Sequence, residues 1–360
     1  MKIAIMGAGL SGLTCAITLE RHGISPVIFE HKKTVGDRFV NGEILLSLLN
    51  RPVFDSLAYF SEQYGIFLHP TANIRKAIFH SENRQAVIQG HLGFTNIRGR
   101  HKNSFENQLA RQVKSKIIYN SRYSYEQLVK EFTHVILATG DAADASKIQD
   151  YRQDLTVCLR GATVAGSFDP YSVRAWLNNR LAPKGYGYLI PFSEKEANIV
   201  TAFPEYPENK KLDLNQLWEK FFRTVSEDLQ QNLRITDNFK ISGYIIGICS
   251  YPRIGNTFFT GNCFGSIMPF LGFGQFASIL TGIYAAYDLC GLGEYEKLTM
   301  PLRQSYENSL VLRRSMEKLN NPKMDILVES LNSPLGNMLF NSKHYDPLKL
   351  ISRLLKPLMV

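Results

Sequence analysis

At 360 residues, 44% of them hydrophobic, the chain can bury the cores of two domains, or of one domain with a large insertion. Its net charge of +9 is dispersed without a Lys/Arg block, which argues for a basic solvated surface and against nucleic acid as a partner. No stretch reaches membrane-spanning length, the first strand begins at Lys2 with no room for a signal peptide, the five cysteines form no C-x-x-C pair and the eight histidines lack ligand spacing; the expectation is a cytoplasmic protein with free thiols and no metal.

Lys2–Met6 fits a buried parallel strand, and Gly7-Ala8-Gly9-Leu10-Ser11-Gly12 follows as a G-x-G-x-x-G turn. Leu13–His22 has helical spacing, Gly23 can end the helix, and Pro26–Phe29 is a second strand with Glu30 at its carboxyl end. Gly7 permits the tight turn, Gly9 lets a pyrophosphate approach the backbone, and Gly12 lets helix and strand pack closely. The helix N-terminus, with Ser11, offers donors to phosphate. Glu30 is placed to accept hydrogen bonds from a ribose diol. Embedded in this unit, the motif points to dinucleotide binding.

Beyond Glu30, residues 31–38 read as a polar loop, with Gly36 and Arg38 within reach of a cofactor phosphate or ribose. Residues 41–49 and 52–64 read as helices and 77–89 as a strand pair. Next come a helix over 105–113, a strand over 116–119, a helix over 125–131 and a strand over 134–138 that ends in Ala138-Thr139-Gly140. Residues 156–200 have the texture of an antiparallel sheet, 212–229 of a helix and 244–249 of a strand. Residues 256–286 read as a strand into Gly261-Asn262, then a loop, then Pro269 and Gly272-Phe273-Gly274 opening a long helix rich in small residues. Beyond Leu289 the pattern is mostly helical.

Three blocks in this order resemble FAD-dependent oxidoreductases of the glutathione-reductase-like superfamily, and more narrowly the aromatic-hydroxylase-type flavoproteins. They are the fingerprint with Glu30, ILATG at Ile136–Gly140, and FFTGN…PFLGFGQFASILTGIYAA. Lys184–Pro191 (KGYGYLIP), followed by Glu196–Val200, resembles the substrate-domain signature of the geranylgeranyl reductase branch. The resemblance implies an α/β fold with a discontinuous Rossmann-like FAD-binding domain (1–75, 100–150 and 250–290). An antiparallel-sheet substrate domain (76–99 and 151–249) is inserted into it, and a helical segment (291–360) follows.

The resemblance also implies site residues. Gly7, Ala8, Gly9, Leu10, Ser11, Gly12 and Glu30 would hold the ADP half of FAD. Arg38 would sit near the ribose or pyrophosphate, and Lys102 stands where an Arg often contacts the cofactor. Thr139 and Gly140 would border the dinucleotide, and Gly261 and Asn262 would meet the pyrophosphate and ribityl chain. Gly272, Phe273 and Gly274 would set a helix N-terminus at the pyrimidine end of the flavin, where N–H dipoles stabilise the negative charge of the reduced ring. The chain departs from the pattern at Asn262 and Thr139, where Asp is usual, at Tyr188, where Trp is usual, and at Phe39–Glu43, which lacks a Cys motif.

The implied activity is hydride transfer from flavin N5 to an apolar or prenyl-type C=C bond. No second fingerprint follows a strand, so NAD(P)H is expected as a transient co-substrate. Tyr186 and Tyr188 are the candidate pocket residues and proton donors, against the plain reading of two half-buried sheet tyrosines. A flavin monooxygenase of an apolar or aromatic substrate and a non-catalytic FAD-binding homologue are the alternatives. The expected partner is a small apolar molecule, with a membrane lipid as one form. The stretch His344–Val360 has the composition of an amphipathic helix, which suits either a peripheral membrane contact or packing on the protein itself.

Overall fold

Two sheets are laid down by a chain that passes repeatedly between them, in a computed structural model describing residues 1–343 and 345–359, with side chains as far as residue 357. β1 (Ile3–Met6), α1 (Leu10–Arg21) and β2 (Val27–Phe29) form the opening unit. β3 (Asn41–Leu46), α2 (Ser56–Tyr64), β4 (Ala72–His80) and β5 (Gln85–Arg98) follow. Then come α3 (Phe105–Ala110), β6 (Ile117–Ile118), α4 (Tyr125–Glu131), β7 (His134–Leu137) and α5 (Ala142–Ser146). The next elements are β8 (Tyr151–Ala165), β9 (Ser172–Trp176), β10 (Tyr186–Pro191), β11 (Glu196–Pro204), α6 (Leu214–Leu229) and β12 (Arg234–Cys249). The chain closes with β13 (Arg253–Ile254), β14 (Thr257–Phe259), α7 (Gln275–Leu289), α8 (Tyr295–Met316), α9 (Asn321–Leu331), α10 (Pro334–Asn341) and α11 (Pro347–Leu355).

The first sheet has the order β13-β14-β7-β1-β2-β6 and is parallel except for β13 at its edge. Its central strand β1 is apolar on both faces, with Ala4 and Ile5 fully buried, as a parallel sheet covered by helices requires. α1 and α7 lie against each other because small residues meet: a Cβ on Gly282 would stand 2.1 Å from Ser11 O. The expected Rossmann-like α/β domain is therefore present.

The second sheet has the order β12-β8-β11-β10-β9-β4-β5-β3. It is antiparallel except where β4 runs parallel to β9, a strand that the sequence reading had not separated out. α6 covers one face, burying Trp218, Phe221 and Val225. Gly187 makes room for it, since a Cβ there would stand 2.3 Å from the Phe221 ring. Side chains alternate along a strand, so Tyr186 and Tyr188 are turned to the opposite face.

One expectation is corrected. Residues 41–49 are not a helix: Asn41–Leu46 is β3, followed by a 3-10 turn over Ser47–Leu49. A run of leucines is ambiguous by periodicity, and pairing decides. β3 matches β5 from Asn41↔Arg98 to Leu46↔Gly93, and Gly42 N donates to Asn198 Oδ1 of β11 at 3.0 Å.

Among the described residues no helix is long and apolar enough to cross a membrane. α11 packs on α8 but leaves Leu350 and Leu354 exposed. The ends of the predicted amphipathic stretch, His344 and Val360, lie outside the described residues.

Candidate dinucleotide and substrate site

The fingerprint loop is held by steric necessity. Gly7 has φ +115°, and a Cβ there would lie 2.3 Å from Ala138 O; a Cβ on Gly12 would lie 2.0 Å from Gly7 O. Gly9 differs, because no atom lies within 4 Å of its Cβ position. It is the N-cap of α1 with no side-chain cap, so the helix presents free N–H groups to that open space. Glu30 stands at the end of β2, its Oε2 accepting from Ala8 N at 2.7 Å and Oε1 from Lys32 N at 2.8 Å. Each carboxylate oxygen keeps a further lone pair for a ribose hydroxyl. Ser11 is buried, and its Oγ accepts from Thr260 Oγ1 at 3.3 Å, tying α1 to the 260–261 turn.

The ends of β7 and β14 are stitched together beside this loop. Asn262 Nδ2 donates to Gly140 O at 2.8 Å and to Tyr244 Oη at 3.0 Å. Thr139 Oγ1 lies 3.3 Å from Cys263 Sγ, and Tyr151 Oη donates to Asn262 O at 2.9 Å. Burial pushes the Cys263 thiol up to about 11, which keeps it an inert protonated packing residue. Gly140, at φ +78°, again has nothing within 4 Å of its Cβ position. Asn262→Asp is expected to lower stability by about 0.5–1.5 kcal/mol, because a carboxylate would face the Gly140 carbonyl in place of a donor; thermal melting checks this.

The far end of the site is a cavity of about 140 Å³ between the Pro269–Gln275 loop and the second sheet. Gly272 has φ +74° and an open Cβ position, and Gly274 N-caps α7 without a side-chain cap. Tyr186 and Tyr188 form the opposite wall with their rings 5.9 Å apart. Tyr186 Oη donates to Leu271 O, and Tyr188 Oη donates to Asn41 Oδ1 at 3.2 Å. Burial pushes both phenols well above the usual tyrosine range, so both stay neutral. Leu155, Val157, Leu159, Ile241 and Ile246 supply an apolar wall.

Three polar groups in this cavity escaped sequence reading. Gln275, the first residue of α7, donates from Nε2 to Glu43 Oε2 at 2.7 Å and to Asn96 Oδ1 at 2.8 Å. Arg98 bridges Glu43 at 3.4 Å and Glu106 at 2.8 Å. Gln275 was the accessible signal, since it directly follows the Gly-x-Gly turn; Glu43 and Arg98 meet it only through the pairing of β3 with β5.

Arg38 lines the same cavity, 3.7 Å from Glu43, and its Nε is buried with no partner among the described residues. Lys102 is exposed and stands apart from the cavity wall. The open positions at Gly9, Gly140 and Gly272, the free N–H groups of α1 and α7, the Glu30 carboxylate and the unpartnered Arg38 Nε together fit an extended dinucleotide.

Residues 5–47 match the model of the NAD(P)-binding Rossmann-like domain. A geranylgeranyl bacteriochlorophyll reductase-like protein from Thermoplasma acidophilum shares the fold at TM-score 0.71 and 14% identity, over 98% of each chain. The flavin-dependent brominase Bmp2 aligns at TM-score 0.67 and 13% identity, over 99% of this chain and 98% of its own. Aklavinone-11 hydroxylase, crystallised with FAD and aklavinone, aligns at TM-score 0.60 and 13% identity, over 91% of this chain and 70% of its own. At these identities the likeness is one of fold, an α/β architecture shared with flavoproteins.

Proposed function

We propose that the chain is an FAD-dependent oxidoreductase that acts on an apolar substrate and takes its electrons from NAD(P)H as a transient co-substrate. One observation carries the reading: a single cavity has the uncapped start of α7 on one wall and two neutral, buried tyrosines on the other. Bound there, FAD would supply hydride transfer at N5.

The chain's own residues supply the rest. Gly7, Gly9, Gly12 and Glu30 would hold the ADP half, with Arg38 toward the pyrophosphate. The N–H groups at the start of α7 would stabilise negative charge at the pyrimidine end. The aliphatic wall of β8 and β12 excludes water and suits an isolated or prenyl-type C=C bond. Tyr186 is the preferred proton donor, since its hydroxyl already reaches the loop that begins α7. Tyr186→Phe is expected to retain FAD and slow turnover roughly 10²-fold; unchanged turnover would move proton donation to Tyr188 or water. Where the substrate is a lipid, exposed Leu350 and Leu354 beside Arg353 and Lys356 favour a peripheral membrane contact.

The test is to mix purified protein with NADPH in the presence and absence of air, following flavin absorbance and peroxide. Anaerobic bleaching, reversed by an apolar alkene, supports the reductase. Turnover that consumes oxygen and yields hydroxylated product replaces it with a monooxygenase. A colourless protein that refuses FAD on reconstitution overturns both in favour of a non-catalytic homologue.

A further inference from the structure

The Leu271–Gln275 strip has a second face. Behind it, away from Tyr186 and Tyr188, lies another cavity of about 260 Å³, enclosed by β3, the 47–53 turn, α7, α8 and the start of α11. Its lining is largely apolar, with Leu46, Leu48, Phe270, Leu280, Leu302 and Leu312, while Ser305 and Asn308 of α8 add polar atoms to one wall. One end is charged. Arg51 lines the wall there with only 8% of its surface exposed. Its Nε and Nη1 are buried with no hydrogen-bond partner among the described residues, and Nη2 makes only a long bond, 3.4 Å, to Phe340 O.

The surroundings leave this charge under-compensated. The Arg51 guanidinium lies 4.7 Å from the centre of the Phe54 ring, and Lys343 Nζ lies 4.9 Å from the same centre. A ring face attracts a cation but does not satisfy its N–H groups. Lys349 lines the cavity as well. The acid of the lining, Asp346, uses its Oδ1 to cap α11 through Lys349 N at 2.9 Å. Two cations, Arg51 and Lys349, thus line the cavity beside one carboxylate, and Lys343 reaches the Phe54 ring that Arg51 also meets. A buried guanidinium with unmade hydrogen bonds is costly, and an oxyanion placed against it makes short, charge-assisted bonds.

We propose that this second cavity binds a medium-chain anionic amphiphile, its carboxylate or phosphate head on Arg51 and its alkyl chain among α7, α8 and α11. The site is separate from the flavin-facing cavity and does not rest on the function proposed above. The two share only the strip that starts α7, so an occupant here bears on the back of that strip.

The test is calorimetric titration of the flavin-loaded protein, and of the flavin-free protein, with decanoate, decyl phosphate and decanol below their aggregation limits. Decanoate or decyl phosphate is expected to bind at least roughly tenfold more tightly than decanol, the difference a charge-assisted hydrogen bond makes. The better of the two identifies the head group. Arg51→Gln should bring the anion down to the affinity of decanol and leave decanol unchanged, and Leu312→Trp, which fills the chamber, should abolish all three. Equal affinity for decanoate and decanol in the unaltered protein overturns the proposal, as does a folded Arg51→Gln variant that binds decanoate undiminished. Should Arg51→Gln fail to fold, the decanoate-to-decanol ratio and Leu312→Trp still decide. Persistence of binding without flavin separates this outcome from any failure of the flavin reading.

Discussion

Alanine at Gly12 is expected to collapse the nucleotide loop, whereas alanine at Gly9, three residues earlier, should leave the fold standing and weaken the binding of the proposed FAD. The added Cβ at Gly12 would come 2.0 Å from Gly7 O. Gly7 cannot retreat, because its own Cβ position is only 2.3 Å from Ala138 O and its φ of +115° is one that only glycine holds without strain. Helix, turn and β7 would all have to shift, at a cost of about 3 kcal/mol or more. That is a large part of the 5–15 kcal/mol, roughly, that holds a domain folded. At Gly9 the added methyl meets no protein atom, and the backbone at φ −86° suits alanine. The expected loss is about 1 kcal/mol or less, from a poorer N-cap. The methyl instead enters the space in front of the α1 N-terminus, so FAD affinity should fall at least roughly tenfold, or about 1.4 kcal/mol. Thermal melting and retained flavin, measured on both variants, check the pair. A Gly9→Ala protein that keeps its flavin at full affinity would mean that the dinucleotide does not lie against this loop.

This contrast explains how much the sequence disclosed. The fingerprint, the Ala138-Thr139-Gly140 end of β7 and the Gly272–Gly274 start of α7 are local devices, each needing small residues at fixed offsets, so a linear reading finds them. The G-Y-G-Y alternation at 185–188 was legible for the same reason: Gly187 makes room for Phe221 of α6, Gly185 for the β11 backbone at Ala202 and Phe203, and the tyrosines face the cavity. β3 was not legible, because Ile44, Leu45 and Leu46 suit a helix as well as a strand and only β5 chooses between them. β9 was hidden by its brevity and by Arg174 in its centre. The polar cluster around Gln275 joins residues 43, 96, 98, 106 and 275, which no spacing rule connects. Lys102, a position carried over by likeness, lies on the exposed surface outside the wall of the cavity.

Arg98→Met is expected to cost about 3–5 kcal/mol, the usual penalty for stranding a buried charge. The Arg98 side chain is 13% exposed, and Glu106 and Glu43 hold its guanidinium charged against the desolvation it suffers. Its removal would strand the Glu106 carboxylate and leave Glu43 with weaker support. Glu106, 3% exposed, would keep only the Gly99 N–H at 3.3 Å, and Glu43 would keep Gln275 as its close partner at 2.7 Å. The damage should therefore spread along both arms, loosening α3 from β5 and disturbing the first turn of α7 at the Gly272–Gln275 end of the cavity. Two further variants separate charge from shape. Arg98→Lys keeps the charge but loses the planar fork that reaches both acids, so it should fall between the two, at about 1–2 kcal/mol. Arg98→Met combined with Glu106→Leu removes a stranded charge along with its partner and should recover part of the loss, a coupling that a double-mutant cycle in urea measures directly. A single-variant loss below about 1 kcal/mol, the range of an exposed ion pair, would show that water reaches the cluster and that it does not brace the start of α7.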